Sequence, residues 1–155
     1  MFFLAMIGAA ATLTGLLFVS VSINLDRVLA GTQLLPSRAR ETIASLLLIV
    51  AYSSLTLVPQ DTTLLGIEIL VMALPLLVGT LWDQILHLKS NPDDPTLWSV
   101  SRIAATGLGI VPATLAGVSL IIRWGGGFYL LVPATLLGIF GAVYSAWVLL
   151  VEIAR

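Results

Sequence analysis

Charged residues cut this chain into long uncharged runs. They extend from Met1 to Leu25, Thr42 to Gln60, Ile103 to Ile122 and Trp124 to Val151, with a further run from Thr62 to Trp82 broken only by Glu68. A hydrocarbon core about 30 Å thick takes roughly 20 apolar residues to cross as a helix. Within lipid the backbone must satisfy its own hydrogen bonds, which leaves helices as the element. The pattern therefore predicts an all-α polytopic membrane protein: one domain, residues 1–155, with five transmembrane helices near 2–25, 40–59, 62–82, 102–122 and 128–151.

The breaks carry the chemistry of helix ends. Ser37 after Pro36 suits an N-cap, and VPQDTT at Val58 to Thr63 reads as a tight turn between antiparallel helices. In NPDDPTLW, Asp94 can cap a helix opening at Pro95, where the missing N–H has no cost. Gly125, Gly126 and Gly127 can take the positive φ that ends the fourth helix. The third helix is expected to continue to about Lys89, and the fourth to start before its apolar run. The first run could also be a cleaved signal, with MIGAAA at the cut. No Lys or Arg precedes Arg27, however, and the run is long enough to span, so it is read as a retained helix.

Composition narrows the class. The 155 residues are 59% apolar and 10% charged, against about 25% charged in a soluble domain, and mean hydropathy is +1.09. So few charges cannot coat a water-facing surface, which excludes an ordinary soluble enzyme and a disordered chain. A net charge of −1 offers no basic footprint for nucleic acid. The absence of cysteine removes disulfides and thiolate chemistry. Position says more than sum: with five spans, Arg27, Arg38, Arg40, Lys89, Arg102 and Arg155 fall on one side and Arg123 alone on the other. The positive-inside rule then puts the N-terminus outside and the C-terminus in the cytoplasm. Trp82, Trp98, Trp124 and Trp147 lie near predicted span ends, where amphipathic rings settle.

Small residues form three stripes of the kind that lets helix backbones approach in lipid. The first span carries Ala5, Gly8, Thr12, Gly15, Val19 and Ser22; the fourth Gly109, Ala113 and Gly117; the fifth Ala134, Gly138, Ala142 and Ala146. Packing within the bundle is the ordinary explanation, yet three stripes exceed what one core uses, which points to a homo-oligomer or other membrane subunits. Pro75, Pro112 and Pro133 fall inside the last three spans and favour kinks.

Glu68 stands out because a carboxylate near a span centre costs roughly 2.5–3.5 kcal/mol on insertion scales. If the second and third helices form a close hairpin about Gln60 and Asp61, Tyr52 and Ser53 lie level with Glu68, and a hydrogen bond to Tyr52, Ser53 or Ser54 is expected. The set is a candidate ion or proton site or, alternatively, a polar clamp. Ser20, Ser22, Asn24, Asp26 and Arg27 cluster at the cytoplasmic end of the first span, as a headgroup or partner site or simply a helix end reaching water. Arg27, Arg38 and Arg40 are candidate contacts for anionic lipid. Asp83 and His87, four apart, could supply two metal ligands, but without a further His or any Cys a solvated face is the better account, and neither metal nor cofactor is expected. HExxH, GxSxG and a phosphate-binding glycine loop are all missing.

The stretch TGLLFVSVSINLDRVL, Thr14 to Leu29, followed by LPSRARETIASLLLIV, resembles the opening third of an uncharacterised family of small multispanning bacterial membrane proteins. That resemblance implies a bacterial inner-membrane location, carries no activity, and adds weight to Ser22, Asn24 and Arg27. Together these readings favour a non-enzymatic, oligomeric membrane subunit or scaffold. A small channel or proton-linked transporter using Glu68 is the rival, and a lipid-binding protein comes third.

Overall fold

A computed structural model describes residues 1–26, 34–90 and 96–154. Among these the chain is helical, without strands: α1 (Phe2–Ile23), α2 (Leu34–Leu55), α3 (Thr62–Ser90), α4 (Thr96–Ile122) and α5 (Gly127–Ala154). Three segments are long and apolar enough to cross a membrane: Phe2–Ile23, Thr62–Leu86 and Gly127–Val151. Among the described residues of α4 the apolar stretch is Gly107–Ile122, and α2 carries Arg38, Arg40 and Glu41 in its early turns.

Helix ends follow local chemistry, with two departures from expectation. First, α2 begins at Leu34, so Ser37 lies inside the helix rather than capping it. Pro36 is accommodated because N–H groups of a first turn have no intrahelical acceptor. Second, the residue that ends α4 in the left-handed region is Arg123, with φ 57°, not one of the three glycines. The Trp124 N–H then reaches back to the Ser119 carbonyl at 3.2 Å, the six-to-one bond that closes a helix after a left-handed residue. A non-glycine residue there costs roughly 1–2 kcal/mol. Gly125 and Gly126 follow with φ of 78° and 65° and reverse the chain. Gly127 already belongs to α5, and a Cβ on it would fall 2.8 Å from the Leu120 nitrogen and 2.9 Å from the Ala116 oxygen. The segments holding Asp94, Pro95, Arg27 and Arg155 lie outside the described residues.

The helices alternate in direction. At one end Phe3 of α1 meets Phe128 of α5 edge to face, centroids 5.5 Å apart; at the other, Leu17, Ala39 and Leu149 from α1, α2 and α5 pack together. Within the bundle α4 packs most extensively on α5 and then on α3, while α2 leans on α1 and α5 and meets α3 only lightly. The core is filled by Leu46, Ile49 and Tyr52 of α2, Ile69 of α3, Ile110 of α4 and Leu131 of α5.

Two close crossings set this arrangement. A Cβ added at Gly109 would lie 2.6 Å from the Gly138 Cα, and one added at Gly66 would lie 2.8 Å from the Gly117 oxygen. The α4 and α5 stripes are thus consumed inside the bundle, with Gly109, Ala113, Gly117, Ala134, Gly138 and Ala142 all buried. The α1 stripe is not. Phe3, Ala10 and Leu17 face the core, whereas Ala5, Gly8, Thr12, Gly15, Val19 and Ser22 are exposed, and nothing lies within 4 Å of a Cβ built on Gly8 or Gly15. The Thr12 hydroxyl donates to the Gly8 carbonyl at 2.8 Å, so it needs no partner outside its own helix.

Candidate functional site

Ion pairs mark both ends of α3. At its start, Asp61 accepts the Thr63 N–H at 3.1 Å and caps the helix. Arg123 reaches across from the end of α4, its guanidinium 3.3 Å from both Asp61 carboxylate oxygens and 3.2 Å from the Thr63 hydroxyl. Near the far end, Asp83 pairs with Arg40 of α2. At 1.5 Å per residue the two aspartates stand roughly 33 Å apart along the helix, close to the thickness of a hydrocarbon core.

Hydrogen bonds from Thr63, side chain first and backbone second, hold the Asp61 carboxyl below its ordinary value of 3.8, with the Arg123 charge adding to them. A depressed folded-state value stabilises the fold at pH above the unfolded value and loses that effect as pH falls through the folded one. Asp61→Asn should therefore be less stable than the parent at neutral pH and should converge with it as pH falls below the ordinary carboxylate range. Unfolding midpoints in detergent from pH 7 to pH 2 test this; a difference that stays constant over the range would contradict it.

Glu68 does not meet its expected partners. Half-buried on α3, it accepts a hydrogen bond from the Gln60 side-chain amide at 2.8 Å. Tyr52 instead donates to the Thr135 hydroxyl of α5 at 3.0 Å, and Thr135 donates onward to the Leu131 carbonyl at 2.6 Å. Ser54 bonds to the Val50 carbonyl of its own helix at 2.7 Å. Ser53 is fully buried, and its hydroxyl has no hydrogen-bond partner among the described residues. The four residues do not form one cluster, because α2 turns Tyr52 toward α5 rather than toward α3. The Glu68–Gln60 bond is a local clasp near the turn.

The cluster at the end of α1 is a helix terminus in its geometry. Asn24 donates its side-chain amide to the Ser20 carbonyl at 3.0 Å and stands at the C-cap, with Ser22 and Asp26 exposed. Of the arginines expected to meet lipid, Arg38 is 4% exposed and sits within the bundle, a correction to that expectation, while the Arg40 side chain is 69% exposed. Asp83 faces Arg40, and the His87 side chain lies outside the described residues.

The site with the most chemistry is a cleft of about 630 Å³ between α2 and α3. Arg40, Glu41 and Ala44 form its α2 wall; Pro75, Leu76, Val78, Gly79, Thr80, Trp82 and Asp83 form its α3 wall. It exists because these consecutive helices are tied together by a short loop at one end, while α2 docks on α1 and α5 and α3 docks on α4. Gly79 widens it, with nothing within 4 Å of its Cβ position. Pro75 has no N–H to give the Val71 carbonyl, which loosens α3 at the cleft's deep end. Polar groups gather at the other end: the Arg40–Asp83 pair bridges the walls, with buried Glu41 and Thr80 behind it. Sequence reasoning named Arg40 and Asp83 separately; 43 residues apart in the chain, they carry no local signal that they meet.

These features define a class, a helical bundle with, among the described residues, three helices fit to cross a membrane. No protein-family model, curated protein or solved structure matches the chain.

Proposed function

We propose that the chain is a non-enzymatic subunit of the bacterial inner membrane that associates with a second copy of itself, α1 against α1. The observation that carries this reading is the open small-residue face of α1. Of three stripes able to bring helices close, two are filled within the bundle, and the third faces outward over the length of its helix. Lipid tails are as apolar as Leu, so close backbone packing, rather than escape from water, would drive the pairing. The most apolar window of α1 is 17% buried in the single chain, against 39% for α5, which leaves α1 as the helix with surface to spare.

Membrane placement rests on five spans. Arg38, Arg40 and Lys89 gather at the end of the bundle where α2 starts and α3 finishes, whereas Arg123 lies at the opposite end. Under the positive-inside rule this supports a cytoplasmic C-terminus and an external N-terminus. The clasp of Glu68 by Gln60 favours a structural role for that carboxylate over ion passage.

Gly8→Leu and Gly15→Leu test the pairing. A Cβ at either position meets nothing within 4 Å and both residues are exposed, so each variant should fold while blocking close approach between copies. In mild detergent the parent is expected at twice the chain mass of 16.4 kDa, and the double variant at the single-chain mass. A parent that is monomeric across several detergents, or a double variant that remains dimeric, would overturn the proposal.

A further inference from the structure

We infer that the α2–α3 cleft is a binding site for one zwitterionic phospholipid, with its phosphate on Arg40 and its ammonium on Asp83. The rim faces outward: Trp82 is 63% exposed, and Val78 and Gly79 are exposed beside it. In a bilayer that rim meets lipid. The height also fits. Asp83 lies at one edge of the hydrocarbon core, where phosphate and ammonium groups reside, and Pro75 lies roughly 12 Å deeper along α3, at acyl-chain level. A volume of about 630 Å³ with a polar end and apolar walls is the shape of a headgroup and the first carbons of its chains.

Charge selects among lipids. At the mouth the guanidinium of Arg40 is already balanced by the carboxylate of Asp83, so an anionic headgroup finds no net positive charge. A zwitterion can enter between Arg40 and Asp83 and replace one exposed ion pair by two. Its phosphate takes the guanidinium and its ammonium takes the freed carboxylate, so both members of the Arg40–Asp83 pair stay matched. An anionic lipid drawn to Arg40 would instead leave Asp83 facing a phosphate. This inference is independent of the α1 pairing, since α2 lines the cleft with Arg40, Glu41 and Ala44 but packs near α1 through Ala39 and Ile43.

The test uses Trp82 as the reporter, with Trp98, Trp124 and Trp147 changed to Phe. The full chain is reconstituted in equimolar phosphatidylethanolamine and phosphatidylglycerol, with bromine on the acyl chains of one lipid or the other. Brominated phosphatidylethanolamine is expected to quench Trp82 two- to fivefold more effectively, roughly the selectivity that an exposed ion pair can supply. The paired change Arg40→Gln with Asp83→Asn should equalise the two lipids. Gly79→Leu, whose Cβ has nothing within 4 Å and whose branched end would occupy cleft space, should equalise them too while leaving the helices intact by circular dichroism. Equal quenching in the parent, stronger quenching by phosphatidylglycerol, or a preference that survives Gly79→Leu would overturn the site.

Discussion

Gly109→Ala should destabilise the bundle by roughly 2–3 kcal/mol, the upper part of the range for overpacking. The new methyl would sit 2.6 Å from the Gly138 Cα, and a backbone atom cannot turn aside as a side-chain tip can. Relief requires α4 and α5 to move apart, which loosens the most extensive helix pair in the molecule. Gly138→Ala should cost less. Its Cβ would come within 2.9 Å of the Ile49 Cδ1, which can rotate, and would lie 3.3 Å from the Gly109 Cα. Gly107→Ala, two residues along the same helix with nothing within 4 Å, should be neutral or slightly stabilising through helix propensity. Reversible unfolding in mixed micelles measures all three. If Gly109→Ala proves as mild as Gly107→Ala, the close crossing is absent in the folded protein.

Tyr52→Ala should cost about 2–4 kcal/mol, somewhat below truncations in water-soluble cores because the unfolded reference in a membrane is lipid rather than water. Tyr52 is 1% exposed and the largest of the fully buried side chains. Removing it leaves a cavity where α2 meets α5 and strips its neighbours of dispersion contacts. Tyr52→Phe isolates the hydroxyl and should cost about 0.5–1.5 kcal/mol, the range of interhelical hydrogen bonds in membranes. Thr135 keeps its own bond to the Leu131 carbonyl in that variant, so no donor is stranded. Equal losses for the two variants would mean that the hydrogen bond, not packing, anchors α2 to α5.

Both effects concern contacts that could be foreseen only in kind. That glycine stripes on the fourth and fifth spans would pack somewhere follows from their spacing. That Gly109 meets Gly138, while the equivalent stripe on α1 meets nothing, does not, because a small-residue face is the same string of letters whichever partner it finds. The hairpin assumption failed for a related reason. A short loop brings the ends of α2 and α3 together but does not hold them together along their length, and the close approach of Gly66 to Gly117 gives α3 a better neighbour in α4. Tyr52 consequently points to Thr135, Glu68 turns back to Gln60, and the space left between α2 and α3 becomes the cleft.

Helix identity, approximate helix limits and the apolar character of three membrane-length segments are written in the chain itself. They depend on nearest neighbours and on the length of uncharged runs, which local physics reads directly. Even with Arg123 rather than a glycine as the first left-handed residue, α4 ends at Ile122, where the uncharged run ends. Which faces are spent and which stay open was decided by tertiary structure alone. So were the meeting of Arg40 with Asp83 and the existence of a cleft, because each depends on how five similar apolar surfaces compete for one another, and hydrophobicity without direction does not choose the winner.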